Sequence, residues 1–193
     1  MPSAMPMLKP LLVPLAALLL LSGCMRYHDE RIREVQPHQC AFDQGALFQN
    51  QAYYTSAGGQ TFPFQKLSAL FGNYDKRIAL LKLRTENGQL HAAFLTEDQQ
   101  PLVGEKATIE LSYKAKGPAL IIDNPSSCRF AETGVECSSW HVELSCTQHD
   151  DLALKRVDSG TGMIGLIIPI NSRSSTLGIY RRVEAEAKPD EVR

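Results

Sequence analysis

The sequence predicts a mainly β domain, either an antiparallel β-sandwich or an up-and-down, lipocalin-like barrel, with one short helix. Three observations carry that expectation. Two runs of alternating apolar and polar residues flank Asn87-Gly88, a pair strongly favoured in two-residue hairpin turns. A third run, Ala107-Thr108-Ile109-Glu110-Leu111-Ser112-Tyr113-Lys114, alternates without an exception, as a strand does when one face meets a core and the other meets water. Turn-forming residues then punctuate the chain about every 8 to 12 residues, the spacing of sandwiches and barrels.

The first 25 residues form a separate unit. Lys9 is followed by an apolar run over residues 11–21 that contains Pro14. That is the length of a signal-peptide hydrophobic region, and it falls short of the roughly 18 residues a spanning helix needs. The run ends in Leu21-Ser22-Gly23-Cys24. These four residues resemble a lipobox, the processing signal of bacterial lipoproteins. The resemblance implies cleavage between Gly23 and Cys24, a diacylglyceryl group on the Cys24 sulfur, an acylated amine, and a mature protein hanging from a membrane. A single acyl chain holds a protein only marginally, whereas two or more anchor it stably. Met25, and not Asp, comes after the cysteine, which resembles the enterobacterial pattern sent to the outer membrane and implies a domain facing the periplasm. The expected organisation is a signal peptide at residues 1–23, a polar tether at 24–39, one β-rich domain at 40–183 and a charged tail at 184–193.

Cleavage at that point leaves 170 of 193 residues, enough for one domain with a hydrophobic core. The leader carries only Lys9, so the remainder has 19 basic and 21 acidic side chains and a net charge of −2. Such a balance offers no field for nucleic acid and no polybasic patch for anionic lipid. A nucleic-acid partner is therefore not expected.

Residues 26–39 are polar, with Pro37 near their end and no sustained apolar period, as befits a tether. Residues 42–54 mix aromatics with glutamines and lead into a first strand at residues 51–55, which Gly58-Gly59 breaks. Pro63 opens the expected helix, in which Phe64, Leu67, Leu70 and Phe71 share a face and Gly72 is the stop. Residues 78–84 and 89–96 are the hairpin strands. Pairing through the Asn87-Gly88 turn sets Leu83 against Ala92 and Leu81 against Phe94, so one face is consistently apolar. Gly117-Pro118 makes the next turn, residues 119–122 the next strand, and residues 123–127 a loop. Residues 128–137 predict a hairpin with its loop at 131–134. In the strand after it, Trp140, Val142, Leu144 and Cys146 point one way and His141, Glu143 and Ser145 the other. Residues 152–157, 163–170 and 177–183 supply three more strands, the middle one apolar enough to be covered on both faces.

Apart from Cys24 there are four cysteines, Cys40, Cys128, Cys137 and Cys146, an even number that suits an oxidising compartment. The hairpin sets Cys128 opposite Cys137, where Cβ atoms about 4.5 to 5.5 Å apart come close to disulfide range. Cys137 and Cys146 bracket an extended segment and would lie roughly 30 Å apart if it is straight. The expected pairs are therefore Cys128–Cys137 and Cys40–Cys146, the second pinning the start of the domain to a core strand.

Several motifs carry less than they first suggest. Gly160-Thr161-Gly162-Met163-Ile164-Gly165 matches the dinucleotide pattern G-x-G-x-x-G, but the next five residues, Leu166-Ile167-Ile168-Pro169-Ile170, are strand-like where a phosphate-binding helix should start. The motif reads better as a flexible glycine hairpin, and no cofactor is expected. Cys137, His141, Cys146 and His149 are residue types zinc prefers, yet the alternation turns His141 away from the core side that carries Cys146, and oxidation would remove the thiolates. No metal is expected. Asp150-Asp151 and Glu97-Asp98 lack the ligand spacing of a calcium loop and read as solvated. No G-x-S-x-G, S-x-x-K or H-E-x-x-H occurs, so a catalytic site is not expected.

Three functions fit these features. The first is a lipid-anchored cell-envelope lipoprotein whose non-catalytic β-domain binds an envelope protein or a cell-wall partner. The second is a lipocalin-like carrier of a small apolar ligand, which requires an open apolar barrel mouth. The third is an inhibitor or immunity-type protein acting through a rigid loop, for which the disulfide-clamped residues 131–134 are the natural choice.

Overall fold

The computed structural model describes residues 25–27, 35–56, 62–104, 107–131, 134–164 and 168–184. The expected signal peptide, Gly23, Cys24 and residues 185–193 of the charged tail lie outside them. In chain order the strands are β1 (Met25–Tyr27), β2 (Ala46–Gln49), β3 (Tyr54–Ser56), β4 (Leu80–Glu86), β5 (Gln89–Leu95), β6 (Thr108–Ser112), β7 (Lys114–Lys116), β8 (Ala119–Ala131), β9 (Gly134–Cys146), β10 (Leu152–Ile164), β11 (Ile168–Tyr180) and β12 (Arg182–Val183). They make two sheets packed face to face. One runs β1-β11-β10-β9-β8-β7 with β3 also on β11, and the other runs β12-β2-β4-β5-β6.

The fold is a β-sandwich and not a closed barrel. Strands that change sheets join its edges: β6 ends the smaller sheet and continues through Tyr113 into β7 of the larger one, while β11 passes through Arg181 into β12. Between the sheets, Phe48, Leu81, Leu83, Leu90, Ala92 and Phe94 face Ile122, Val142, Leu144, Leu152, Leu154 and Tyr180, all buried. The Asn87-Gly88 hairpin pairs Leu83 with Ala92 and Leu81 with Phe94 as expected. Both turn residues take positive φ, 51° and 75°, the conformation a type I′ turn demands. Val142, Leu144 and Cys146 are buried inward as the alternation of β9 requires.

One end of the core is closed by residues 62–72. Phe62, Phe64, Leu67, Leu70 and Phe71 are buried, but the expected helix is only a 3-10 turn, Leu67–Phe71. The reason is a backbone tie. Lys66 is extended, and the Leu67 N–H donates to the Asn50 carbonyl at 2.7 Å. Asn50 is itself buried and fully engaged: its side-chain amide donates to the Ile78 carbonyl at 2.9 Å and accepts from the Ser68 N–H at 2.8 Å. Gly72 does stop the turn, in the left-handed region at φ 66°.

Five further expectations are corrected. The expected strand at residues 51–55 is divided, with β2 before it in one sheet and β3 in the other. Residues 123–127 are not a loop: β8 runs straight through them, and a bulge between Asn124 and Ser127 accommodates Pro125, which has no N–H for the ladder. Residues 163–170 are not one strand. They hold the ends of β10 and β11, where Ile164 pairs with Ile168. Gly160 and Gly162 lie inside β10 and not in a hairpin turn. Residues 177–183 are interrupted at Arg181, where the chain changes sheets.

Candidate interaction surfaces

The strands β8 to β11 are 13 residues each, about twice the usual length, and the smaller sheet covers only part of them. The inward face changes character at Arg156. Its guanidinium lies 4.8 Å from the centre of the Trp140 ring and 5.6 Å from that of Phe64, and it donates to Asp158 Oδ1 from Nε at 2.9 Å and from Nη2 at 2.6 Å. Arg156 can only lie flat here because the aromatic faces accept the cation while the carboxylate takes its N–H groups. Beyond this belt the four long strands continue as a ribbon, with β1 paired along β11. Residues 126–130, 135–139, 158–162 and 171–174 include no buried side chain, although both sheet faces are available to them.

Composition explains why the ribbon survives in water. Much of it is small or polar, as at Ser127, Ser138, Ser139, Ser159, Gly160, Thr161, Asn171 and Ser172, residues with little surface to hide. Cys128–Cys137 staples its β8-β9 half, with Cα atoms 4.0 Å apart. Arg129 and Glu136, the next pair along the ladder, are bridged at 2.6 Å. Phe130 comes next and is 87% exposed.

A groove of about 900 Å³ lies at the opposite end of the sandwich, among the Gln44-Gly45 turn, Gln99, the β9-β10 turn and Arg182. Asp151 holds it together: it accepts from the Tyr53 hydroxyl at 2.7 Å and from the Arg182 N–H at 2.8 Å. Asp150 adds an ion pair with Arg182 at 3.3 Å. Burial and the hydrogen bond to Asp151, with the charge of that carboxylate, push the Tyr53 hydroxyl up to about 12. Gln99 and Asp150 both stand at positive φ, 56° and 61°, in tight turns closed by Gln99 N–H to Thr96 and Asp150 N–H to Thr147. The lining offers amides, carboxylates and cations without one dominant sign, which suits a hydrogen-bonding partner.

A shallower groove of about 450 Å³ crosses the outer face of the larger sheet, with Val35 and Pro37 on one side and Pro118 on the other. On its floor Glu143 pairs with Lys155 at 2.9 Å and His141 at 3.4 Å. Burial works to raise the Glu143 pKa, and Lys155 and His141 outweigh it, leaving the carboxyl below its usual range. This ion group belongs to the sheet surface, and the chain leading into the domain packs beside it.

The expected site residues are spread over several of these surfaces. Cys128–Cys137 and Cys40–Cys146 are both disulfides, and the second is buried beside the His38-Cys146 bridge. Oxidation removes Cys137 and Cys146 as metal ligands, and among the described residues no cluster suited to a metal ion occurs. His141 is committed to Glu143, while His149 lines the end groove. Asp151, expected from the sequence to be solvated, is instead the organising group of that groove. Its signal was invisible because Tyr53 lies 98 residues away. Against protein-family models, curated proteins and solved structures alike, the chain has no match.

Proposed function

We propose that this protein is a lipid-anchored lipoprotein of the bacterial cell envelope, held in the outer membrane through Cys24 and facing the periplasm, whose β-sandwich is a non-catalytic interaction module. The anchor rests on the lipobox-like Leu21-Ser22-Gly23-Cys24 and its short apolar leader. The binding role rests on one observation: the end groove, with its mixed polar lining fixed by Asp151, is twice the volume of the groove on the outer sheet face. An envelope protein or a cell-wall polymer would supply the complementary hydrogen bonds. The filled core favours this over a carrier, since Phe48, Phe94, Leu144 and Leu154 occupy the space an apolar ligand would need.

The test is in two parts on the full chain expressed in a bacterium. Mass spectrometry of the purified product is expected to show an acylated amino-terminal Cys24; an uncleaved leader or a free thiol there would overturn the anchor. A photo-crosslinking residue at His149 is expected to capture one defined envelope component, and one at exposed Tyr74 to capture none. Equal labelling from both positions would reject the groove.

A further inference from the structure

We propose that the groove on the outer face of the larger sheet binds a single-chain amphiphile with an anionic head, a free fatty acid, which lies across the strands with its carboxylate at Lys116 and Ser145. This goes beyond the interaction role of the end groove and does not depend on it. The core between the sheets is filled, so an apolar ligand has to lie outside it. The groove holds about 450 Å³, within the range of roughly 300 to 1,000 Å³ found for small-molecule sites.

Two ladder rows make its floor. In one, Lys116 pairs with Ala119 and Ser145 with Ala153, and the neighbouring Leu120-Leu144 pair brings Ala119 beside Ser145. In the other, Ile121, Glu143, Lys155 and Leu177 stand side by side on β8, β9, β10 and β11. The first row is low, since Ala119 and Ala153 carry only methyl groups and Ser145 a hydroxymethyl, while Val35, Pro37 and Pro118 rise as apolar walls. The lining reaches from Lys116 on β7 to Leu177 on β11, four strand spacings or about 19 Å. One extended alkyl chain fits such a channel.

The polar groups select the head. Lys155 is taken by Glu143 at 2.9 Å and Lys114 by Asp123 at 2.7 Å, whereas Lys116 makes no ion pair among the described residues. The groove therefore keeps one cation without a counter-charge. Ser145 is 8% exposed, and its hydroxyl, which lines the groove, has no hydrogen-bond partner among the described residues. A hydroxyl so far from water is costly until it finds an acceptor. Lys116 stands two strands away on the same face, about 10 Å between Cα atoms, and only the Ala119 methyl lies beneath its long stem. A carboxylate set between them accepts from both. Backbone chemistry selects the tail. Along these rows β8, β9, β10 and β11 are paired on both sides, so a peptide crossing them would leave its own N–H and C=O groups unpaired; an alkyl chain has none to satisfy.

Photolabelling tests this. The full chain is kept in solution by a fluorinated surfactant, whose tails mix poorly with hydrocarbon, and is given laurate bearing a diazirine near its methyl end. Labelling is expected on peptides carrying residues 35–37, 153–155 and 177, the part of the channel away from Lys116, and is expected to be displaced by laurate and not by dodecylamine. At a fixed sub-saturating concentration Lys116→Ala should lower it about tenfold, the loss of one charge-assisted contact, and Ser145→Ala about threefold. Lys116→Arg should retain most of it, and Ala119→Phe, which fills the low row, should abolish it. Labelling spread evenly over the chain, or undiminished in both Lys116→Ala and Ala119→Phe, overturns the site. Equal displacement by dodecylamine overturns the anionic head, and equal displacement by a capped hexapeptide of alternating leucine and alanine overturns the alkyl ligand in favour of a protein. Thermal unfolding checks that each variant is folded; should one misfold, the others carry the test. Crosslinking from His149 reads the end groove separately, so failure here leaves that reading standing.

Discussion

Arg156 stacks on Trp140 with its guanidinium carbon 4.8 Å from the ring centre, while its N–H groups grip Asp158 two residues along the same strand. This places a cation at the last row of the core, between the sandwich and the ribbon. Replacing Arg156 with Ala removes the stacking and leaves Asp158 unpaired. An exposed-to-buried cation–π contact is worth about 0.5 to 2 kcal/mol, and the lost hydrogen bonds add to it. Urea unfolding is expected to show Arg156→Ala destabilised by about 1 to 3 kcal/mol, with Trp140 emission shifted to the red in the folded baseline; Arg156→Lys, which keeps the charge but not the planar fork, should fall between.

The two disulfides should differ in what they hold. Cys40–Cys146 closes a separation of 106 residues and is buried; Cys128–Cys137 closes 9 on the exposed ribbon. Chain entropy alone gives about 5 kcal/mol for the first and about 2.5 for the second. The Cys40→Ala/Cys146→Ala variant is expected to lower the unfolding midpoint steeply. Cys128→Ala/Cys137→Ala should leave that midpoint nearly unchanged and speed amide exchange in residues 126–139, because the ribbon buries too little to be coupled to the core. Equal effects of the two pairs on global unfolding would contradict this.

Two glycines in the long strands make a matched comparison. A Cβ on Gly178 would meet the Phe62 ring, 2.6 Å from Cζ, and Phe62 is buried and has nowhere to go. A Cβ on Gly160 would press on the Ser172 hydroxyl at 2.6 Å, on an exposed side chain free to rotate, and would otherwise make only ordinary contact with the Cys137 carbonyl at 3.9 Å. Neither glycine is at positive φ. Gly178→Ala is therefore expected to cost about 1 to 3 kcal/mol through overpacking, and Gly160→Ala less than about 0.5, both read from thermal unfolding.

Tyr53 provides a pH signature for the end groove. Its hydroxyl is pushed up to about 12 by burial and Asp151, against about 10 in an unfolded chain. A raised folded pKa favours the protonated form, so this contribution to stability is complete below pH 10 and is lost as pH rises from 10 through about 12. Alkaline titration of phenolate absorbance should show a late tyrosine that disappears in Tyr53→Phe, distinct from buried Tyr180, whose hydroxyl burial also pushes up. Asp151→Asn, which removes the carboxylate charge, should bring that titration back toward the ordinary range.

The local pattern made much of the fold legible. Asn87-Gly88 with alternation on either side specified both register and face of the β4-β5 hairpin, since a one-residue slip would turn Leu81 and Leu83 to water. Cys128 and Cys137 were placed opposite one another by the same logic, and exclusion of a Cys137–Cys146 pair led to Cys40–Cys146. The ribbon was not legible. Serines and glycines on strands with no buried face carry no period of two, so Gly160 and Gly162 resemble a turn and Pro125 a loop. An apolar run such as residues 163–170 reads the same whether a core surrounds it or a hairpin divides it.

What the sequence determined by itself is thus the β class and the pairing of the cysteines, because each depends on neighbours within a few residues or on simple reach. Tertiary structure alone decided that the sheets form a sandwich and not a closed barrel, that Asp151 meets Tyr53, and that Arg156 ends the core. Those contacts join positions up to about a hundred residues apart, and only the closing of long strands against a shorter sheet brings them together.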